Sequence, residues 1–176
     1  LRTPAQLERW QVLFEPVPET AIDPVSYFTF YDDTFQEGEM VKLAIATSNV
    51  GQIDFPDSLS VAYWLIDNDR NIHEIAWKKL RLHPVGDILV DSISFSTKGF
   101  AGSNSLWVEF NPVDSTTGYY DQLEQYHFNN IAEIKFIVDK DLINPMLDVT
   151  FDGIHILDGD IVSAQPLIDI MLKDEN

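Results

Sequence analysis

The stretch from residue 58 to residue 82, SLSVAYWLIDNDRNIHEIAWKKLRL, has two apolar segments separated by a short polar one. The segments Leu59 to Ile66 and Ile72 to Leu80 are rich in aromatic and β-branched residues, which favour strands. The residues between them, Asp67 to Asn71, are polar and suited to a chain reversal. The stretch therefore predicts a β-hairpin, and it sets the fold class expected for the rest of the chain.

Segments on both sides of this hairpin repeat the same pattern at short intervals. Apolar and polar residues alternate in residues 41–47, 87–97, 102–112 and 129–141, with turn residues between the segments. Residues 118–130 are predicted to form a loop with at most one turn of helix. We therefore predict an all-β protein, an immunoglobulin-like antiparallel β-sandwich of about seven strands. The residues predicted to lie inside it are Val41, Leu43, Ile45, Trp64, Leu106, Val108 and Phe136.

The chain divides into three regions by composition. Residues 1–24 are predicted to form a short strand and then a linker stiffened by Pro16, Pro18 and Pro24, which should run extended without joining a central strand. Residues 25–143 hold the predicted sandwich. Residues 144–176 resume the apolar alternation and are predicted to be the first strands of a following β unit, truncated at the end of the chain. We expect the chain to be a piece of a longer protein.

Composition limits the kinds of partner and chemistry that we expect. The formal net charge of −18 would repel phosphate backbones and anionic lipids, so we expect neither nucleic-acid binding nor membrane insertion. The chain has no cysteine, which excludes disulfides, thiolate metal sites and cysteine nucleophiles within it. The sequence has no nucleophile elbow, no phosphate-binding loop and no histidine pair at metal-ligand spacing. We therefore predict that the chain is not an enzyme.

Several motifs together resemble a known family. Residues 38–65, 102–112, 124–131 and 136–149 resemble the CARDB-type immunoglobulin-like domain, a bacterial adhesion-related module. The family pattern includes an Asn-x-Gly corner after a strand, and a Glu that precedes a paired Asn. The residues here that match these motifs are Asn49, Gly51, Glu124, Asn129 and Asn130.

The flanking residues make the resemblance more specific. Residues 9–24 and 144–176 resemble the region after the peptidase-like domain in very large type IX secretion proteins related to the gingipain-type sortase. This resemblance implies a cell-surface, periplasmic or outer-membrane location in a Gram-negative bacterium, reached through an export signal outside this chain. The peptidase domain would also lie outside these residues, so the resemblance assigns no catalytic residue.

The acidic stretch DVTFDGIHILDGD, residues 148–160, has two interpretations. Asp148, Asp152, Asp158 and Asp160 could offer Ca²⁺ the oxygen ligands that it prefers. The spacing does not match a calcium-binding EF-hand loop, however, and each Asp-Gly pair is a strong turn signal. We favour turns at Asp152-Gly153 and Asp158-Gly159, with residues 147–151 in one strand and Ile154 and Ile156 in the next. Calcium is the alternative, and no other cofactor is expected.

Two further features could contact a ligand. The hairpin tip, residues 67–71, resembles half of a calcium loop but lacks a closing Glu, so we interpret it as a solvated turn. Among the tryptophans, Trp64 and Trp107 lie beside aliphatic residues and are assigned to the core by default. Trp77 lies next to two lysines and is the candidate ligand-binding residue, because an exposed aromatic side chain in a hairpin can mark a binding surface.

These observations lead to one expected function and two alternatives. The expected function is a non-catalytic spacer or interaction module of a large exported cell-surface protein, with the neighbouring domains of the same polypeptide as its partners. The first alternative is an adhesion module that binds a glycan or another surface protein. The second is an accessory domain of a gingipain-type cysteine peptidase.

Overall fold

The computed structural model describes residue 9 and residues 11–140, 142 and 145–173. The chain separates into two compact units, Leu1–Asp139 and Lys140–Asn176. Unit 1 has the strands β1 (Thr20–Ile22), β2 (Phe28–Thr29), β3 (Thr34–Gln36), β4 (Met40–Asn49), β5 (Ser60–Ile66), β6 (Ile72–Lys79), β7 (Ile88–Ser96), β8 (Gly102–Phe110) and β9 (Ile131–Asp139). One short 3-10 helix, Phe128–Asn130, precedes β9, within the loop where at most one helical turn is predicted.

The strands of unit 1 form two sheets. In the first sheet, β4 pairs with β7 along nearly its whole length, while β1 and β2 lie one after the other along the opposite edge of β4. The second sheet has the order β3-β9-β8-β5-β6. The two sheets form the predicted immunoglobulin-like all-β sandwich. Its neighbouring strands run antiparallel except at one edge, where the short β3 pairs with β9 in parallel.

Alternating residues of the long strands form the core between the sheets. Val41, Leu43, Ile45, Leu106, Val108 and Phe136 are all buried, as predicted. Trp64 is the exception, because its neighbour Tyr63 is fully buried and Trp64 lies on the outer face. The assignment of Trp64 to the core was wrong. Residues 61–66 are apolar throughout, so the sequence pattern allows either the odd-numbered or the even-numbered residues to face the core. The pairing of β5 with β6 also shifts its register between Tyr63 and Trp64.

The proline-containing linker also differs from the prediction. Thr20–Ile22 form a three-residue strand that pairs with residues 47–49 of β4. The ladder extends on both sides, since the Val50 amide donates to the Glu19 carbonyl over 2.8 Å and the Asp23 amide to the Ala46 carbonyl over 2.9 Å. The physical reason is that Pro18 and Pro24 bracket five residues that keep their amide donors, and these are free to pair with an open sheet edge.

Unit 2 contains one pair of strands, β10 (Met146–Phe151) and β11 (Ile168–Lys173), paired antiparallel over six residues. The predicted reversal at Asp152-Gly153 is present, with φ angles of 51° and 78°. The next predicted strand was wrong, because β10 pairs with β11, and Ile154 and Ile156 make only the single bridge Phe151–Ile154. One face of the pair is apolar: Leu147, Val149, Phe151, Ile168, Ile170 and Leu172. In the described part of the chain, no helix is long and apolar enough to cross a membrane.

Candidate functional site

The carboxylate of Glu19 joins the N-terminal segment to a distant loop. Its Oε2 accepts hydrogen bonds from the backbone amides of Gln125, at 2.9 Å, and Tyr126, at 3.0 Å. Its Oε1 accepts a hydrogen bond from Asn129 Nδ2 at 2.8 Å. Glu19 is buried, so these three donors replace the water that its carboxylate would otherwise bind. The segment is thereby fixed to the loop just before β9.

The side chain of Glu124 makes the reciprocal connection from the loop to β1. Its Oε1 accepts from the Thr20 amide at 2.6 Å, and its Oε2 accepts from Asn130 Nδ2 at 2.7 Å and from Asn111 Nδ2. The side chain is fully buried. Burial, with a smaller contribution from the carboxylate of Glu19, raises the pKa of Glu124 to about 7 against the effect of these donors.

The Asn49-x-Gly51 corner lies against the same segment. Asn49 Nδ2 donates to the carbonyls of Ile53, at 3.1 Å, and His83, at 2.9 Å, while its Oδ1 accepts from the Gly51 amide at 3.0 Å. A Cβ atom on Gly51 would lie 2.7 Å from the backbone nitrogen of Glu19. Glycine is therefore required here by the close approach of two backbone segments.

These residues form one buried polar group at one end of the sandwich, which we call the N-terminal clamp. It consists of Glu19, Asn49, Gly51, Asn111, Glu124, Asn129 and Asn130. All five residues that carry the family resemblance belong to it. Sequence reasoning did not single out Glu19 and Asn111, because Glu19 has its partners more than 100 positions away and no local pattern marks it.

Substitution of Gly51 by Ala should displace the segment around Glu19. A Cβ atom at 2.7 Å from a backbone nitrogen cannot be accommodated by a side-chain rotation, so we expect a loss of about 2 kcal/mol in the free energy of unfolding. Urea denaturation measures it. The control is Val50→Ala, because Val50 is exposed and its loss should change stability by less than about 0.5 kcal/mol. Equal stabilities of the two variants would contradict this close contact.

A second candidate region lies on the outer face of the second sheet. Trp64 of β5 is directly opposite Trp107 of β8, and Ile66 is opposite Ile72 of β6. The ring of Trp77 meets that of Trp64 edge to face, with 6.4 Å between centroids and 76° between planes. We call these five residues the outer tryptophan face. The structure thus places the candidate residue Trp77 beside Trp64, on the same face as Trp107. Both Trp64 and Trp107 were assigned to the core, but both are only partly buried.

Three of the four aspartates of the acidic stretch have separate partners. Asp148 Oδ1 lies 3.2 Å from His155 Nδ1, and Asp152 accepts hydrogen bonds from Ser163 Oγ at 3.0 Å and from the Leu167 amide at 2.9 Å. Asp160 accepts from the Leu157 amide at 2.7 Å, and Asp158 precedes Gly159, whose φ is 90°. Within the described residues, no three acidic or histidine side chains gather closely enough to hold a metal ion. Calcium binding remains the untested alternative to the favoured assignment to turns.

Thermal melts decide between turns and calcium. With the carboxylates engaged in separate turns, we expect superimposable melts in Ca²⁺ and in chelator. A ligand at about 100 times its dissociation constant would add about 2.7 kcal/mol, which corresponds to several degrees. A Ca²⁺-dependent shift of that size, absent in Asp158→Asn and Asp160→Asn, would contradict the assignment to turns.

The hairpin tip uses its first aspartate internally. Asp67 accepts hydrogen bonds from the backbone amides of Asp69, at 2.9 Å, and Asn71, at 2.8 Å, and lies 2.7 Å from His73 Nε2. The hydrogen bond with His73 lowers the pKa of Asp67 to about 2. These contacts stabilise the chain reversal, consistent with the interpretation of the tip as a turn.

Comparison with known proteins identifies the fold. No protein-family model matches the chain, and no curated protein matches it. Among solved structures, the chain is similar to the CARDB domain of a Pyrococcus furiosus protein, which was crystallised in complex with di-metal ions. The TM-score is 0.50 with 16% sequence identity, over 74% of this chain and 100% of that one. At this identity the likeness establishes the fold alone.

Weaker likenesses involve parts of much larger proteins. A β-glucosidase from Erythrobacter marinus has a TM-score of 0.47 and 10% identity, over 69% of this chain and 15% of that one. A Pseudomonas fluorescens alkylpurine DNA glycosylase bound to DNA has a TM-score of 0.45 and 13% identity, over 69% of this chain and 30% of that one. This chain spans a small part of both proteins.

Proposed function

We propose that this chain is a non-catalytic module that spaces and positions neighbouring parts of a larger exported cell-surface protein. The observation that carries the proposal is where the chain enters and leaves the sandwich. It enters at Glu19, which is bonded to Asn129 just before β9 begins at Ile131. It leaves at Asp139, the last residue of β9. The two points are separated by the length of β9, which is about 30 Å at about 3.3 Å per residue. They therefore lie at opposite ends of the sandwich.

Both points belong to the same rigid body. The buried N-terminal clamp fixes the first, and β9 is hydrogen-bonded to β8 on one side and to β3 on the other. A flexible linker of similar reach would let the segments on its two sides move independently. A sandwich anchored at both ends sets the separation between the points where these segments attach, which requires neither a catalytic residue nor a cofactor.

The proposed cellular context rests on the sequence resemblance. Residues 9–24 and 144–176 resemble the flanks of this module in type IX secretion proteins related to the gingipain-type sortase. We therefore place the module in an exported protein of a Gram-negative bacterium, after a peptidase-like domain. The partners in this proposal are the neighbouring domains of the same polypeptide.

A replacement experiment in the full-length protein tests the spacer function. Residues 9–139 are exchanged either for an unrelated β-sandwich with a similar distance between its ends or for a flexible Gly/Ser segment of the same residue count. We expect the rigid replacement to retain the surface display and activity of the protein and the flexible one to lose them. Loss with both replacements would contradict a pure spacer and would favour the alternative of an accessory domain that contacts a peptidase.

A further inference from the structure

The outer tryptophan face continues to Glu109 on β8, which lies two residues after Trp107 on the same side of the strand. The strand register places Glu109 opposite Ala62, and Ala62 opposite Trp77. Ala62 is fully buried even though it lies on the outer face of the sheet. The larger side chains of Trp77 and Glu109 flank this small residue on either side, about two strand spacings apart. Ala62 is therefore covered, and the side chains of Trp77 and Glu109 lie on the same outer surface as Trp64 and Trp107.

Two polar groups at this site have no partner. Glu109 is partly buried and, among the described residues, has neither a hydrogen-bond donor nor a cation beside its carboxylate, and burial raises its pKa. The indole nitrogen of Trp107, two residues earlier on the same face, is buried without an acceptor. A partly buried carboxylate without a protein partner can bind a ligand that supplies a positive charge.

Charge on this face favours a cationic ligand. Glu74 lies opposite Trp64, and Glu133 lies opposite Trp107. Of the nearby lysines, Lys79 binds Asp121 at 2.7 Å, and Lys135 lies 3.6 Å from Glu133. Glu74 and Glu109 are not neutralised by these lysines, and the whole chain carries a net charge of −18. A basic partner would be attracted to this face.

The ring geometry distinguishes a basic side chain from a sugar. Successive sugar rings need a flat aromatic platform, whereas Trp64 and Trp77 meet at 76° and form a corner. A planar guanidinium can stack on one ring of such a corner while its N–H groups bind a carboxylate. Beside the corner, a depression of about 310 Å³ is lined by Trp64, Ile66, Ile72 and Trp107, which suits an apolar side chain.

We propose that the outer tryptophan face binds an extended, basic segment of a partner protein. An arginine of that segment pairs with Glu109 and stacks on the tryptophan rings, while the residue two positions away fills the apolar depression. Residues two apart in an extended segment share a face and are separated by about 6.6 Å, the same spacing as that between Trp107 and Glu109 along β8. This surface is independent of the spacer function, since it uses no residue of the N-terminal clamp.

Titration of the whole ¹⁵N-labelled chain with a short peptide tests the proposal. The probe is the acetylated and amidated pentapeptide Thr-Leu-Thr-Arg-Thr, and its control has citrulline, the uncharged analogue, in place of arginine. We expect the arginine peptide to shift the indole N–H signals of Trp64, Trp77 and Trp107, assigned with single Trp→Phe variants. The citrulline peptide should bind at least about tenfold more weakly, because a charge-assisted hydrogen bond is lost.

Variants of two glutamates identify which carboxylate binds the arginine of the peptide. Glu109→Gln should weaken binding of the arginine peptide about tenfold, whereas Glu133→Gln, which removes a carboxylate that already has Lys135 beside it, should change it less than about twofold. Thermal melts of both variants establish that they are folded. Equal binding of the two peptides, or unchanged binding by Glu109→Gln, would overturn the proposal. Indole shifts with cellohexaose but not with the peptide would identify a glycan surface. Indole shifts that appear when the protein is concentrated without any probe would identify self-association. Either result would overturn the proposal.

Discussion

Replacement of Ile45 by Asp should abolish the cooperative unfolding transition of the sandwich. Ile45 is at the centre of β4, the strand to which all other strands of the first sheet are paired, and its side chain is buried against the core. A carboxylate there would be removed from water and placed directly opposite Asp91, whose charge already pairs with Lys78, so burial costs several kcal/mol in addition to the lost apolar contacts. Total stabilities of about 5 to 15 kcal/mol leave little margin for this loss.

Circular dichroism during a thermal melt measures this effect. Ser94→Asp is the matched control, because it adds the same charge at an exposed position of β7, opposite Lys42. That variant should melt within about 2 °C of the unmodified chain, since surface substitutions change stability by less than about 0.5 kcal/mol. A native-like melt of Ile45→Asp would show that β4 does not face the core in this register.

Replacement of Glu124 by Ala should cost about 3 to 5 kcal/mol of unfolding free energy. The change leaves the Thr20 amide and the side-chain amide of Asn130 without their acceptor in a buried site, and Asn111 Nδ2 keeps only the Gln122 carbonyl. Each such donor costs about 1 to 3 kcal/mol, which is offset in part by removal of a buried charge. The control Leu123→Ala alters an exposed neighbour and should have little effect. Similar urea midpoints for the two variants would mean that the N-terminal clamp contributes little.

The same carboxyl group predicts a pH dependence. The pKa of Glu124 is about 7 in the folded chain, above its ordinary value of 4.5, so the contribution of this group to stability is fully present below pH 4.5 and is lost as the pH rises through 7. The difference between these two pKa values corresponds to about 3 kcal/mol in the free energy of unfolding. Glu124→Gln cannot ionise, so its stability relative to the unmodified chain should increase by about this amount between pH 4.5 and pH 8. A constant difference across this range would contradict the raised pKa.

The long strands were predictable because each follows a single alternation with one clear apolar face. In β4, for example, Val41, Leu43 and Ile45 could only share one side, and all three are buried. The prediction failed where alternation was ambiguous or absent. Both phases of β5 are apolar, so Trp64 was assigned to the wrong face, and β1 is too short to show any pattern.

The N-terminal clamp could be predicted only in part. Its members Asn49, Gly51, Glu124, Asn129 and Asn130 were identified through the family resemblance, but nothing in the sequence indicated that they meet around Glu19. The outer tryptophan face depends on strand register in the same way, because the pairing of Trp64 with Trp107 joins residues 43 positions apart. Contacts of this kind follow from topology, which periodicity within a segment cannot specify.

The distance between the points where the chain enters and leaves the sandwich tests the central claim most directly. The chain has no cysteine, so Glu15→Cys with Asp139→Cys gives two spin labels at unique positions, one before the N-terminal clamp and one at the end of β9. A rigid spacer predicts a single narrow distance distribution centred at about 30 to 40 Å, from about 3.3 Å per residue of β9. Adding Glu124→Ala should broaden it, because the first segment is released. A broad distribution in the chain with an intact clamp would contradict the spacer account.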